Sequence, residues 1–448
     1  IILAPDIYGS IAQPRSESFG DVLQSASALE EKYGISLMRD MVLADRHLGR
    51  GYMPAWNGSP QSYTADLGNR ENTIAACVQS FEFYEQLSQS HPPALALAFN
   101  GGTGIAGKPI SLVCRTQGVP FRSLQAGRIG DTFYWSQDEF ENCDELEAVF
   151  ERVGPLSAEE IQAARDGVQP PQITKVLQDR KLHIPSLYRT LKDCVYQILQ
   201  HYYARLRNLK PARYGYKPYS KAFGAFRMYH SARMLEKPPF VMLGEISQDI
   251  KIVYFPLQFE PEVSIQGQAP ECPDQFSVLS QIALSLPVDA VLVVKEHPFQ
   301  GGRRPYHIYR SILQMPNAVM VRTSESSQAI IKRAALICAI TSTVAHEGAI
   351  LGKPVAYFTR HGPIRAIPHV HYIRSYDDLA WIRKALSKTN SADEETRRHD
   401  GARYFSALNK YCMDLGDLNL FTRSAAPTDA ELQLLSAPLL RAVNAVRP

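Results

Sequence analysis

At 448 residues the chain is longer than one hydrophobic core usually organises, so two domains are expected. Hydrophobic residues at 45% and charged residues at 21% exclude a disordered chain, and no apolar run approaches the roughly 20 residues of a membrane-spanning helix. A formal charge of +3 is too small to argue for nucleic-acid binding, and no nucleic-acid partner is expected.

The opening Ile1-Ile2-Leu3-Ala4-Pro5 has neither the basic start nor the apolar length of a signal peptide. Seven cysteines are scattered singly with no C-x-x-C spacing, which argues for reduced thiols, no zinc or redox pair, and a cytoplasmic location. In the first half, residues 71–88 predict a long helix, while 94–98 and 110–114 predict buried strands and 119–124 a further strand. A first α/β domain is the economical reading. Residues 185–236 form a helical stretch crowded with Tyr, Lys and Arg. Two readings stand open for it: a helical pair with packed tyrosines and solvated bases, or a surface that touches the inner membrane or an anionic, lipid-linked acceptor.

Pro238-Pro239 then marks a boundary, because proline stops helices and stiffens linkers. From 240 to 385, β-rich apolar runs at 252–257, 290–294, 318–321, 335–340 and 354–358 alternate with helical runs at 275–285, 305–313, 326–333, 344–351 and 379–386. Such alternation is the mark of a parallel, doubly wound sheet. The expected division is 1–237, an acceptor-side domain ending in the 185–236 segment, then 238–388, a donor-side Rossmann-like domain, then 389–448, helices packing back on the first.

Three strand-end loops carry the chemistry, since open α/β sheets bind ligands at the carboxyl ends of their strands. The first is Gln258-Phe259-Glu260-Pro261-Glu262, whose two carboxylates share a face on an extended chain and either orient a sugar, serve as a base, or stand as solvated loop acids. The second is Lys295-Glu296-His297-Pro298, in which Pro298 fixes the loop and His297 is placed to bond a phosphate and, when protonated, to neutralise a leaving nucleotide. Gly301-Gly302-Arg303-Arg304 adds flexible backbone and two guanidinium groups beside it. The third is Thr341-Ser342-Thr343 at the start of a helix, where hydroxyls and free N–H groups suit a phosphate, with Glu347 one turn on, suited to ribose hydroxyls. Plain helix capping by Ser342 or Thr343 is the alternative. His369-Val370-His371 has a spacing that metals use, but no third ligand accompanies it and no metal site is expected.

In order and spacing across 250–358, these motifs together with Gly352-Lys353-Pro354-Val355 resemble the bacterial capsule polysaccharide biosynthesis family, which includes the Kdo transferases of capsule assembly. The likeness extends more loosely to Ala44-Asp45-Arg46-His47-Leu48-Gly49-Arg50-Gly51. It implies a GT-B fold, two Rossmann-like domains facing across a cleft, with the donor nucleotide on the C-terminal domain and no obligatory metal or other cofactor. His297, Ser342 and Thr343 then inherit contacts to the CMP part of a donor, and the family's strand-end acidic position falls on Glu262, where the better-known members carry Asp after Gln-x-x-x. An inverting enzyme of this kind needs a base from the first domain, for which Asp45 and Asp131 are the candidates.

The expected function is therefore a cytoplasmic, metal-independent glycosyltransferase, peripheral to the inner membrane or to an assembly complex. It would move a sugar from a nucleotide-activated donor, a CMP-linked acidic sugar such as Kdo before a UDP-sugar, to a surface polysaccharide or its lipid-linked primer. The alternatives are a UDP-sugar-dependent transferase or epimerase, and a catalytically silent nucleotide-binding subunit of a polysaccharide assembly complex.

Overall fold

The computed structural model describes residues 18–45, 70–99, 102–130, 132–168, 186–206, 226, 229–260, 262–297, 300, 304, 306–387, 391–414 and 428–444. Asp131, Pro298 and positions 46–51 of the basic loop lie outside them.

The first unit opens with α1 (Phe19–Tyr33), which starts at Ser18, whose hydroxyl accepts from the Asp21 N–H, and stops at Gly34 in the left-handed region, φ 63°. A π-turn at Met38–Val42 leads to Asp45. Next come α2 (Arg70–Ser90), β1 (Ala96–Phe99), α3 (Gly104–Thr116), β2 (Phe121–Ala126) and β3 (Thr132–Ser136). The helix expected at 71–88 and the strands expected at 94–98 and 119–124 are present, with shifts of one or two residues.

The strand expected at 110–114 is instead the middle of α3. A short apolar run fits a buried strand or a buried helix equally well, and here the local signals decide. Pro109 inside the helix cannot donate to the Ile105 carbonyl, and the Ser80 hydroxyl of α2 takes that carbonyl instead. The Tyr84 hydroxyl donates to the next carbonyl, Ala106, at 2.6 Å.

The second unit holds β4 (Lys251–Pro256), β5 (Ala290–Lys295), β6 (Ala318–Val321), β7 (Leu336–Ala339), β8 (Val355–Tyr357) and β9 (Val370–Tyr372). They form one parallel sheet in the order β6-β5-β4-β7-β8-β9. That is the 3-2-1-4-5-6 order of the Rossmann sheet, and β4 and β7 flank its topological switch point. Alternate residues of β4 feed two cores: Ile252 and Tyr254 pack on one face, Val253 and Phe255 on the other. Every strand expected between 252 and 358 is found, and the histidine-flanked segment at 370–372 adds the edge strand β9.

Two segments join the units. After α4 (Asp144–Arg152) and α5 (Ala158–Asp166), the chain runs through α6 (Leu187–Leu206) to the second unit. After the sheet, α13 (Ser391–Tyr411) follows the intervening helices α7 (Val263–Gln266), α8 (Gln275–Ser285), α9 (Tyr306–Leu313), α10 (Ser327–Arg333), α11 (Thr343–Ile350) and α12 (Ala380–Ser387). It packs against α4 and α5 on one side and α11 on the other. Gly401 makes that approach possible, since a Cβ there would stand 2.4 Å from the Ala349 carbonyl oxygen. Strand β10 (Met413–Asp414) then adds antiparallel to β3, and Trp135 Nε1 donates to the Leu435 carbonyl of α14 (Asp429–Asn444) at 3.0 Å.

The chain is therefore of the expected α/β class. Its second sheet is fully Rossmann-like. The first, in the order β1-β2-β3-β10, is mixed, with only β1 and β2 parallel around the α3 crossover.

Candidate functional site

The crevice at the switch point is closed by one hydrogen bond. Gln258, just beyond β4, donates through Nε2 to the Thr341 hydroxyl, just beyond β7, at 2.8 Å. Thr341 in turn donates to the Ser264 carbonyl at 2.9 Å, which folds the loop after β4 over the crevice. Ser342 begins α11, its hydroxyl accepting from the Val344 N–H at 3.3 Å, and Thr343 is the first helical residue. Two buried polar atoms on these loops, the Ser264 hydroxyl and Gln300 Nε2, have no hydrogen-bond partner among the described residues.

A buried ion cluster fixes the loops from beneath. Arg304, with 0% exposure, pairs with Glu260 and with Glu296, the latter at 2.8 Å, and donates to the Gln258 carbonyl at 2.9 Å. Tyr309 donates to Glu296 at 2.7 Å. The expectation of two acids sharing one face does not hold, because the chain turns into the short helix α7 after this loop. Glu260 is buried against Arg304, while Glu262 stands half-buried at the start of α7, its N–H donating to the Gln266 side chain at 2.7 Å. Arg304, read from sequence as a loop guanidinium beside the site, is instead the centre of this cluster. Burial raises the Glu260 carboxyl, and Arg304 opposes that rise.

His297 lies 6.1 Å from the Phe259 ring, centre to centre, and its backbone N–H donates to the Glu296 carboxylate at 2.7 Å. Burial pushes its pKa down to about 4, helped by Lys295 and Arg304 and opposed by Glu296. Burial thus holds the free imidazole toward its neutral form, which still donates a hydrogen bond. Lys295 is buried near Glu296, Glu236 and Glu325, and burial lowers it to about 8.

Glu347 is also buried, and no hydrogen bond to its carboxyl is formed among the described residues. It lines a cavity of about 160 Å³ with Arg165 and Asp166 of α5, Gln328, Ile331 and Lys332 of α10, and Leu351. Arg165 Nε, in the same cavity lining, is buried without a partner among the described residues. Burial raises the Glu347 pKa to about 7.

In the first unit, Asp45 is buried against the start of α3 and accepts from the Ile105 N–H at 3.4 Å. The turn that presents this helix was missed in the sequence. It reads Gly102-Thr103-Gly104-Ile105-Ala106-Gly107, the G-x-G-x-x-G pattern, between β1 and α3. Gly102 and Gly104 have φ of 58° and 71°, and a Cβ at Gly107 would stand 2.5 Å from the Gly102 backbone. Reading 110–114 as a strand hid the strand-to-helix context that gives this pattern its meaning.

Arg128, three residues before Asp131, pairs with Glu141, which also accepts from Gln268 at 2.8 Å, so the Asp131 loop is tied at this end to the loop that follows α7. Nearby, Phe140 stacks on His361 at 4.2 Å and the Gly362 N–H donates to Asn142 at 3.0 Å. His369 and His371 have structural partners: His369 bonds the Ala349 carbonyl at 2.9 Å and His371 stacks on Trp381 at 4.6 Å. Among the described residues, no group of three or more His, Cys, Asp or Glu is placed to hold a metal ion.

Residues 169–362 match the family described as capsule polysaccharide biosynthesis protein. No curated protein matches the sequence. Among solved structures, the chain is similar to the KpsC beta Kdo 2,7 transferase of Thermosulfurimonas dismutans, at 16% identity over 80% of this chain and 89% of that one, with a TM-score of 0.34. The KpsC beta Kdo 2,4 transferase of the same organism matches at 14% identity over 68% and 78%, TM-score 0.34. A UDP-GlcNAc 2-epimerase from Neisseria meningitidis, bound to UDP-GlcNAc, matches at 11% identity over 75% and 80%, TM-score 0.28.

Two outcomes follow from this geometry. Arg304→Met leaves Glu260 and Glu296 buried without their cation and is expected to cost about 3–5 kcal/mol in urea melts, most of it recovered when both acids are also changed to Gln. For Glu347 the folded pKa lies above the unfolded value, so the folded state binds the extra proton between the two, and stability falls as pH rises through about 4.5 to 7. Glu347→Gln is expected to raise the melting temperature at about pH 8.5, by an amount equivalent to ~3 kcal/mol, and to change it little near pH 5.

Proposed function

From the match of residues 169–362 to the capsule polysaccharide biosynthesis family, we propose that this chain is a glycosyltransferase that takes its sugar from a nucleotide-activated donor, a CMP-linked acidic sugar such as Kdo, and passes it to a capsule or other surface polysaccharide or its lipid-linked primer. The observation that carries the reading is the Gln258 to Thr341 bond across the switch point, with the start of α11 beside it and the unpartnered Ser264 hydroxyl on the covering loop.

In this reading the donor phosphate meets the N–H groups and hydroxyls at Ser342 and Thr343, where the helix dipole favours negative charge. The Glu347 carboxyl takes the ribose hydroxyls, which explains why a buried acid is left without a protein donor. Neutral His297 donates a hydrogen bond to the leaving phosphate, so the charge that develops there is stabilised by fixed dipoles. The acceptor hydroxyl loses its proton to a carboxylate of the first unit, drawn from Asp45 and Asp131. No metal enters these steps.

A thermal-shift series with CMP, CDP, UDP and GDP tests the donor class. CMP is expected to raise the melting temperature most, and a response confined to UDP would replace the donor with a UDP-sugar and favour the transferase or epimerase alternative. With CMP-Kdo and an acceptor, His297→Ala is expected to lower kcat by about 10²–10³ while leaving the melting temperature near wild type. No turnover by the wild-type chain on any donor would favour a silent nucleotide-binding subunit.

The Asn variants separate the two acids. Asparagine also caps a helix start, so a purely structural Asp45 tolerates Asp45→Asn. The base, by contrast, loses about 10²-fold or more in kcat on the same change at unchanged melting temperature, whether it is Asp45 or Asp131.

A further inference from the structure

Helix α6 exposes its apolar side. Tyr188, Leu191, Val195, Leu199, Tyr202 and Leu206 recur at spacings of three and four, so they share one face of a 20-residue helix about 30 Å long. All six are exposed, from 49% at Leu191 to 84% at Leu206, whereas Thr190 on the opposite side is buried. A helix in a soluble unit normally turns such a face inward. The tyrosines Tyr196 and Tyr203 of the same helix are exposed as well.

The sequence that begins in α6 and runs past its end is one-sided in charge. From Cys194 to Leu235 the sequence has eight Lys or Arg and not one Asp or Glu, while the whole chain has an excess of only three. The rest of the chain is therefore net acidic, and the positive charge is concentrated in and after α6.

We infer that the exposed face of α6 docks on the surface of an anionic phospholipid bilayer, lying in the interface with its leucines among the acyl chains. Aliphatic side chains with tyrosines beside them and lysine or arginine around them are the composition that partitions into that boundary. The basic stretch supplies the attraction to anionic headgroups. Nucleic acid matches the charge but has no use for an aliphatic stripe, which rules against it as the occupant. A second copy of the chain would match the leucines but bring a second basic stretch against the first. Among the described residues, no helix is long and apolar enough to cross a membrane, so the contact is along the surface. The inference does not depend on the donor reading, because no α6 residue belongs to the crevice.

The test is co-sedimentation of the full chain with phosphatidylcholine vesicles with and without phosphatidylglycerol, across a salt series. Binding is expected only with phosphatidylglycerol, falling as salt rises. The double variant Leu191→Glu, Leu199→Glu is expected to weaken it by about tenfold or more, and Lys192→Glu by several-fold, with the thermal unfolding curve unchanged in both. That unchanged curve shows the variants are folded and keeps this outcome apart from the donor reading. The inference is overturned if the double variant binds as wild type does, if the wild type ignores anionic vesicles, if it binds a DNA duplex more tightly than the vesicles, or if it forms a dimer that the double variant abolishes.

Discussion

The second unit's site hangs on Arg304. This fully buried guanidinium holds the Gln258 carbonyl, Glu260 and Glu296 together, and so joins the loop after β4 to the loop after β5. Removing an arginine from water is costly unless its donors are used, and here its carboxylate partners and a carbonyl use them. The consequence is positional. With the Gln258 backbone pinned from below, its side chain is free to reach Thr341, and the crevice between β4 and β7 acquires a defined width. A ligand that enters meets a site whose polar atoms are already oriented, which lowers the cost of binding.

The protonation states bear on the chemistry. His297 and Glu347 are both pushed by burial toward their neutral forms, His297 to about 4 and Glu347 to about 7. In the proposed reading, a leaving nucleotide in this crevice therefore meets a neutral donor and a helix start. In that reading the charge that answers it is the dipole of α11 at its Ser342 end, arranged before the substrate arrives.

What the sequence made legible follows from burial. Strands β4 to β8 are buried on both faces and appear as unbroken apolar runs between turn residues, so each was found within a residue or two. The three strand-end loops were legible for the same reason, as polar residues follow each run. The contacts between loops were not, because Arg304 and Glu260 are separated by 44 residues and nothing local marks a glycine-rich arginine as buried. Nor was the protonation state of His297, which depends on packing. In the first unit the short run at 110–114 had no length to decide between helix and strand, and Pro109 argued against the helix that Ser80 makes possible. The aromatic, basic character of α6 was visible, but which side faced out was not.

The claim that the crevice between β4 and β7 holds the donor nucleotide is tested most directly by amide hydrogen exchange of the full chain with and without CMP. The account predicts slowed exchange at 258–268 and 341–350, with the glycine-rich turn at 102–107 unchanged. Protection confined to that turn, or none at 341–350 under saturating CMP, would contradict it.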